Sequence, residues 1–315
     1  MIINFSTSDK LRLDEFLRLN LPSKLVHSEN ASNSKIRRLI VSGVVFVNGK
    51  QCRRPAFELR GKSAVSIDFD EEKFFYERQP DDVKFEVSAE SVLFEDEYII
   101  CVNKPANFPT EETIVGGQKR DNLHDAVVRY LWQKNPSLRN PPYVGIMHRL
   151  DRGTSGVILF TKQRSVNKDV QAMFESHDFK KIYYALCEAS NITGKKFDIH
   201  SGKKFTVEMY MNRLSSKSQA AKWGKVPKEN GGLYSKTDFE IIEKRKNGHF
   251  LVKADLYTGR THQIRVHLSS VSLPIFGDEL YGASHSERVM LHAERLEFVH
   301  PVTKQNICVT APLPF

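Results

Sequence analysis

A run of charged residues passes directly into an apolar strand at residues 147–162, MHRLDRGTSGVILFTK. Asp151 stands between Arg149 and Arg152 at the start of this strand. Opposite charges nearby keep a carboxylate ionised even where burial would raise its pKa. An ionised aspartate in a cleft can act as a nucleophile, a general base or a metal ligand. Taken alone, the segment favours an ion pair that stabilises a turn.

The segment YTGRTHQIRVHL at 257–268 changes that balance, because it is more polar than a core element normally tolerates. Four basic or imidazole side chains fall within eight residues: Arg260, His262, Arg265 and His267. Read as a helix, the segment buries Ile264 and Leu268; read as a strand, it adds Val266 to that face. Arg265 lies off the apolar face in both cases, so we expect it to meet another element, such as the one that carries Asp151.

Length and charge suggest a two-domain protein with a polyanionic partner. The chain has 315 residues, which is above the size at which single hydrophobic cores usually stop growing. Its net charge of +9 favours nucleic acid over a membrane surface as the partner, since phosphate contacts supply affinity that does not depend on sequence. Alternatively, the positive charge only keeps the protein soluble and indicates no partner.

Residues 1–68 are predicted to form a small basic module, with 12 Lys or Arg against 6 Asp or Glu. DKLRLDEFLRLNLP and SNSKIRRLIVSG have helical spacing, and Asn48-Gly49 predicts a hairpin. The candidate RNA-binding residues of this module are Lys35, Arg37, Arg38 and Lys50. Residues 69–85 are acidic and read as a linker, and residues 86–315 read as the catalytic domain. An inert basic helical module is the alternative for residues 1–68.

Other functional classes are less well supported by the sequence. The four cysteines are scattered, which suggests free thiols in a reducing cytosol, and the N-terminus lacks a signal-peptide pattern. We therefore expect a cytoplasmic protein without a membrane span. Three arginines near Asp151 would repel a metal ion. Glu111 and Glu112 are the carboxylates a glycoside hydrolase would need, but no motif ties either to Asp151.

Five segments together resemble the RluA family of RNA pseudouridine synthases. In chain order they are HRLDRGTSGVILFTK, KIYYALCE, YTGRTHQIRVHL, SLPIFGDELYG and LHAERLEFVHPVTKQNICVTAPLPF. The resemblance spans about residues 92–314, and EDEYIICVNKPANFPT is similar to the family's first motif. Asn107 departs from the pattern, because the family usually has glycine there. The two helices and hairpin of residues 1–68 resemble the alpha-L RNA-binding module that often precedes this catalytic domain.

The resemblance implies an α+β fold with a mixed, largely antiparallel central sheet, flanking helices and a central catalytic cleft. It also implies that uridine in RNA is isomerised without cofactor or metal. Asp151 matches the family's nucleophile, Tyr183 the tyrosine that packs on uracil, and Arg265 the arginine that pairs with the nucleophile. Arg149 matches the residue that fills the gap left by the flipped base. Further RNA contacts are expected from Arg152, His262 and Gln263, although the last two fit equally well as residues that hold the turn.

The RNA target cannot be read from these motifs. Ribosomal RNA of the large subunit is the favoured substrate and transfer RNA the alternative, and we expect a monomer. An RNA-binding assembly factor with dispensable isomerase activity is a second hypothesis. A glycosylase that hydrolyses the same glycosidic bond is a third, and detection of released uracil would identify it.

Overall fold

The structure is a computed structural model that describes residues 2–8, 10–25, 33–68, 83–112, 114–115, 118–176, 178–190, 199–215 and 221–315. The chain divides into two compact units, Met1–Asp81 and Asp82–Phe315. The division falls within the predicted linker 69–85, of which residues 69–82 lie outside the described part. The predicted three-part organisation therefore stays a prediction.

The first unit contains the two predicted helices, α1 (Leu13–Asn20) and α2 (Asn33–Ser42). Leu13, Phe16 and Leu17 are buried, as their spacing predicts for one face of a helix. From α2, Ile36, Leu39 and Ile40 join the same core.

A four-stranded antiparallel sheet completes this unit. Its strands are β1 (Ile2–Thr7), β2 (Val45–Val47), β3 (Lys50–Gln51) and β4 (Ser63–Asp68), in the order β1-β4-β2-β3. Asn48 and Gly49 join β2 to β3 with φ angles of 50° and 77°, which confirms the predicted hairpin. Strands β1 and β4 were not predicted; they pair residue by residue from Ile2↔Asp68 to Thr7↔Ser63.

The second unit is built on an eleven-stranded sheet. Its strands are β5 (Val92–Glu95), β6 (Ile99–Lys104), β9 (Gly145–Ile146), β10 (Ser155–Thr161), β11 (Lys180–Cys187), β12 (Lys204–Arg213), β13 (Trp223–Lys225), β14 (Leu233–Lys244), β15 (Phe250–Leu256), β16 (Leu291–Val299) and β17 (Asn306–Thr310). A separate two-stranded hairpin consists of β7 (Ile114–Val115) and β8 (Gln118–Lys119).

The sheet order is β13-β12-β14-β15-β11-β16-β10-β6-β5, with β17 paired to β16 and β9 paired to β10. Within the described residues, the one parallel pairing is the short contact of β10 with β16 near its centre. The expected mixed, largely antiparallel fold is therefore confirmed. The parallel contact is where the two halves of the sheet join, and the site described below lies next to it.

In the described part of this unit, three α-helices accompany the sheet: α3 (Leu123–Lys134), α4 (Asn167–Glu175) and α5 (Gln263–Ser270). The first begins at Asn122, whose side chain accepts a hydrogen bond from the Asp125 backbone N–H, as in a normal N-cap. The helical reading of the 257–268 segment is the correct one. Ile264 and Leu268 of α5 are buried, and the strand alternative is wrong.

Candidate active site

Asp151 lies in the turn directly before β10, where the backbone N–H of Thr154 donates to the Asp151 carbonyl over 3.0 Å. Gly156 allows the backbone after this turn to lie in close contact with β16. Its φ is +114°, and a Cβ there would lie 2.1 Å from the carbonyl oxygen of Ala293. Only glycine fits both the conformation and the space. The Thr-Ser-Gly sequence thus places the Asp151 carboxylate at the centre of the sheet.

A buried lysine fixes the same turn from the other side. Lys104, at the end of β6, is fully buried, and its ammonium donates to the carbonyls of Pro105 (2.9 Å), Phe108 (2.7 Å) and Arg152 (3.0 Å). Carbonyl oxygens offset the cost of burying the charge. Lys104 therefore joins the 105–108 loop to the turn that carries Asp151, which is a positioning role.

Helix α5 brings Arg265 to Asp151, as the sequence predicts. Arg265 Nη1 lies 3.3 Å from Asp151 Oδ2, while Nε and Nη2 donate to Asp278 over 2.7 and 2.8 Å. The Asp278 side chain is 1% exposed. Burial alone would lower the pKa of Arg265, but the hydrogen bonds and charge of Asp278, with the charge of Asp151, raise it above its usual value. Arg265 is therefore a fixed cation shared by two carboxylates.

His262 closes the site at the start of α5, in a left-handed conformation with φ of 57°. Its Nδ1 lies 2.9 Å from the hydroxyl of Tyr281, and its Nε2 lies 3.7 Å from Asp151 Oδ2. The Tyr281 hydroxyl accepts from the Trp223 backbone N–H, so its own proton is free to go to His262 Nδ1. In the tautomer that accepts this proton at Nδ1, the ring proton is on Nε2, toward Asp151. Burial is the main cause that lowers the pKa of His262, and the ring is neutral near pH 7.

Tyr183 lies in the middle of β11, opposite Ala254 of β15 and Ala293 of β16. Its side chain is partly buried and packs against the hydrophobic clusters on both sides of the site. Burial, and secondly the negative charge of Asp151, raise the pKa of the Tyr183 hydroxyl, so the phenol keeps its proton at neutral pH. The structure thus brings Asp151, Arg265, His262 and Tyr183 into one site.

Comparison with known proteins identifies the family. Residues 98–270 match the family model described as RNA pseudouridylate synthase. An uncharacterized RNA pseudouridine synthase of Mycoplasma pneumoniae is 30% identical over 313 residues, which are 98% of this chain and 91% of the relative. Ribosomal large subunit pseudouridine synthase C of Vibrio cholerae is 30% identical over 318 residues, 96% of this chain and 89% of the relative.

The chain belongs to the RluA-type RNA pseudouridine synthases. It is accordingly an isomerase that acts on uridine in RNA. Among solved structures, human RNA pseudouridylate synthase domain containing 1 superposes with a TM-score of 0.54, covering 71% of this chain and 84% of that one. At 22% sequence identity this likeness concerns the fold.

Asp278 and Tyr281 belong to this synthase site, but the sequence reasoning did not single them out. Both come from SLPIFGDELYG, which was recognised as a family segment without a role for any one residue. The available signal was a pair of adjacent acids, Asp278 and Glu279, in a turn bounded by Gly277 and Gly282. An acid in that context must find a cation, and the structure shows that the cation is Arg265.

Arg149 and Arg152 flank Asp151 in the sequence. The Arg149 side chain is 59% exposed and forms an ion pair with Glu111. Its exposure leaves it accessible to RNA. Arg152 is half-buried, with its carbonyl held by Lys104. Glu111 therefore neutralises an arginine here, which is a different role from the second carboxylate of a glycoside hydrolase.

Gln263 corrects part of the predicted RNA surface. It is 2% exposed, and its amide oxygen accepts from Thr258 Oγ1 (2.7 Å) and the Arg260 N–H (3.0 Å). The amide nitrogen donates to the Lys236 carbonyl and to Thr237 Oγ1. All its hydrogen-bonding capacity is used within the protein. Of the two roles considered for Gln263, holding the turn is the one the structure supports.

His148 is a packed residue. Its Nε2 accepts from the Leu159 backbone N–H over 2.9 Å, and burial lowers its pKa to about 3. Asn107, at the position where the family usually has glycine, has φ of 59° and donates to the Glu287 carbonyl. Asparagine tolerates the left-handed region better than most residues. The departure at Asn107 therefore keeps the loop conformation for which glycine would be selected.

The predicted RNA-binding residues of the first unit are only partly described. Arg37 and Lys50 are exposed, and Arg37 donates to Asp14 over 3.0 Å. The side chains of Lys35 and Arg38 lie outside the described residues. Within the described ranges, no helix is long and apolar enough to span a bilayer, and His, Cys, Asp and Glu form no group of three that could hold a metal ion.

Proposed function

We propose that this synthase isomerises uridine in ribosomal RNA of the large subunit, with Asp151 as the nucleophile. Relatives named ribosomal large subunit pseudouridine synthases C and D match 96% and 90% of this chain, which supports the choice of RNA. We propose further that the protein acts as a monomer in the cytoplasm. Three of its cysteines are buried free thiols, which suits a reducing compartment.

The observation that carries the proposed mechanism is the Asp151–Arg265–Asp278 arrangement. The reaction breaks the N1–C1′ bond, joins C5 to C1′, moves a proton from C5 and returns one to N1. A carboxylate that attacks C1′ or stabilises its positive charge must be ionised and held in place. Arg265 supplies a positive charge that cannot be lost near neutral pH, because Asp278 holds its pKa high.

Tyr183 is proposed to pack on the uracil and to assist proton transfer from C5. In the resting site its phenol is protonated, since burial and Asp151 both raise its pKa. When Asp151 bonds to C1′ its negative charge is lost, and one of these two causes disappears. The hydroxyl then becomes a better acid, so its phenolate is more accessible at the stage when the C5 proton must leave.

Arg149 is proposed to occupy the space left by the target base. Asp151 is only partly exposed, so C1′ can reach it only if the nucleotide leaves its stack, at a cost of roughly a few kcal/mol. An exposed guanidinium can stack on the remaining bases and contact phosphate, which offsets part of that cost. Release from Glu111 would accompany this step. The basic first unit is proposed to add affinity for RNA.

Release of tritium from C5 tests this proposal directly. Transcripts of large-subunit ribosomal RNA and of transfer RNAs, labelled with tritium at C5 of uridine, are incubated with the protein and with Asp151→Asn. We expect tritium release and no free uracil from the ribosomal transcripts with the wild type alone. Free uracil would identify a glycosylase, and release from transfer RNA only would overturn the proposed substrate. Binding without release would favour an assembly factor.

A further inference from the structure

We propose that Lys181 and Arg260 form a binding site for an RNA phosphate next to the target nucleotide. This inference rests on the proposed function, since the phosphate belongs to the RNA substrate. Neither residue is among those matched to the family's catalytic pattern in the sequence. Lys181 is the lysine of Lys-x-Tyr on β11, two residues before Tyr183, and Arg260 is in the loop before α5.

The argument starts from the burial of Lys181. The residue is 8% exposed, yet its ammonium makes neither a hydrogen bond nor an ion pair with any part of the protein that the structure describes. Its nearest ring is that of Phe174, whose centroid is 5.9 Å from Nζ. Lys104 shows the usual solution in the same domain, with three carbonyl oxygens around a buried ammonium. A nearly buried lysine without such partners is costly to the free protein.

A second cation makes the local charge more unfavourable. Burial is the main cause that lowers the pKa of Lys181, and the positive charge of Arg260 lowers it further. Arg260 is exposed, and one nitrogen of its guanidinium, Nε, donates to the Tyr234 carbonyl over 3.1 Å. Two neighbouring cations that repel each other gain from a bound anion. A phosphodiester provides the charge and several acceptor oxygens.

The position of Lys181 connects this pair to the reacting centre. Lys181 Nζ lies 3.7 Å from the point that a Cβ on Gly259 would occupy. Gly259 belongs to the 259–262 loop, whose other end, His262, faces Asp151 at 3.7 Å. The charge of Lys181 also lowers the pKa of His148, three residues before Asp151. Lys181 thus lies beside the 259–262 loop, whose far end faces Asp151, and a nucleotide seated on Asp151 would bring a phosphate near it.

The expected role is to hold the flipped nucleotide by its backbone. Phosphate contacts fix the register of a nucleic acid without reading its sequence. Most of the Lys181 side chain is buried, so its charge is screened less than that of a fully exposed lysine and attracts a phosphate more strongly. The unfavourable charge in the free protein would be relieved only when RNA is bound, which makes Lys181 a residue retained for binding and not for stability.

Substitution of Lys181 tests this inference against a neighbouring lysine. Lys181→Met is compared with Lys180→Met, because Lys180 is exposed and pairs with Glu297 at 3.9 Å. With an RNA substrate that the wild type isomerises, we expect Lys181→Met to lower kcat/KM by about tenfold to a hundredfold. The slope of log kcat/KM against log salt should become shallower by about one. Lys180→Met should keep both values, and Lys181→Arg should keep the slope.

Thermal stability and a neutral phosphate separate binding from structure. The melting temperature of Lys181→Met should equal or exceed that of the wild type, because the substitution removes the charge of a largely buried lysine. Replacing the phosphates beside the target uridine by methylphosphonates should slow the wild type and have little further effect on Lys181→Met. A lower melting temperature for Lys181→Met, or equal losses on the neutral RNA for both proteins, would overturn the inference. Absence of isomerisation by the wild type would instead refute the proposed function.

Discussion

At the scale of single residues, one arginine organises two acids with different roles. Asp278 is buried and binds Arg265 through two hydrogen bonds, while Asp151 is partly exposed and binds the same guanidinium through one longer contact. The tighter pair sets the position of the arginine. The looser contact leaves the Asp151 carboxylate free to reach a sugar, so we regard Asp278 as a positioning residue.

Replacing Asp278 should therefore damage both stability and turnover. Asp278→Asn keeps the shape but leaves the buried Arg265 without its main counter-charge, and we expect a loss of about 3 kcal/mol in the free energy of unfolding. Turnover should fall while RNA affinity changes little. Urea unfolding and tritium release measure the two effects. Glu279→Gln, an exposed neighbour, is the control. Wild-type stability and turnover in Asp278→Asn would remove Asp278 from this role.

Charge pattern and family resemblance together predicted Asp151 and Arg265, and the structure places them 3.3 Å apart. The same reasoning could not reach Asp278, because a single sequence does not say which of two adjacent acids, Asp278 or Glu279, is buried or which distant cation it meets. The sequence also left open, for a related reason, whether Gln263 contacts RNA or holds the turn. Whether a glutamine at a turn faces RNA or backbone depends on partners such as Lys236 and Thr237, which are far away in sequence.

At the scale of secondary-structure elements, the close approach of β10 to β16 positions Asp151. Gly156→Ala would put a methyl group against the Ala293 carbonyl in a conformation that alanine avoids. We expect a loss of at least about 2 kcal/mol in the free energy of unfolding, and loss of turnover in whatever protein folds. Gly202→Ala is the matched control. It has φ of +82° with nothing within 4 Å of the added Cβ.

That control isolates the cost of the backbone conformation, which is about 1 kcal/mol. If Gly156→Ala cost no more than Gly202→Ala in urea unfolding and kept normal turnover, the close approach of the two strands would not be what positions Asp151.

Helix α5 carries a buried histidine, His267, that should make the free energy of unfolding of the second unit depend on pH. His267 is fully buried with Nε2 2.9 Å from Ser235 Oγ, and burial lowers its pKa to about 4 from an ordinary value of 6.5. Between these values the unfolded chain binds a proton that the folded chain does not. Its contribution to stability is present above pH 6.5 and is lost as the pH falls toward 4. Lowering the pH to 5 should cost about 2 kcal/mol from this residue.

Urea unfolding at pH 7.5 and pH 5 measures this dependence. His267→Gln should reduce the difference between the two pH values by about 2 kcal/mol. His200→Gln, at an exposed position, should leave the difference as it is in the wild type. An unchanged pH difference in His267→Gln would show that His267 is not the group responsible.

Most elements could be predicted from local patterns, and the exceptions have physical reasons. The spacing of Leu123, Ala126 and Val127 fits a helix that buries one face, and the structure has it. The 257–268 segment fitted helix and strand alike, because short polar-rich runs have no decisive period. Strands β1 and β4 were missed since each is half exposed and gains its stability from pairing with the other.

At the scale of the whole molecule, charge is unevenly shared between the two units. Residues 1–68 carry 12 Lys or Arg and 6 Asp or Glu, which is most of the chain's net charge of +9. Deleting residues 1–68 should weaken binding to the native RNA and flatten its dependence on salt, because fewer counterions are released from the phosphates. Binding is measured by filter retention at several salt concentrations.

Thermal unfolding of the 69–315 chain is the control, since it shows whether the catalytic unit still folds. If the shortened, folded protein bound its RNA with the same affinity and the same salt slope as the full chain, the first unit would have no part in binding. The domain-scale prediction depends on charge alone, so it holds for any structured RNA that this synthase modifies.

The central claim is that Asp151 carries out uridine isomerisation in ribosomal RNA. Pseudouridine mapping by selective chemical labelling and sequencing of total RNA tests it most directly, in cells with the wild-type protein and in cells with Asp151→Asn. We predict that one or a few positions in large-subunit ribosomal RNA lose their pseudouridine in the mutant. An identical map in the two strains, with Asp151→Asn expressed and bound to RNA, would contradict the claim.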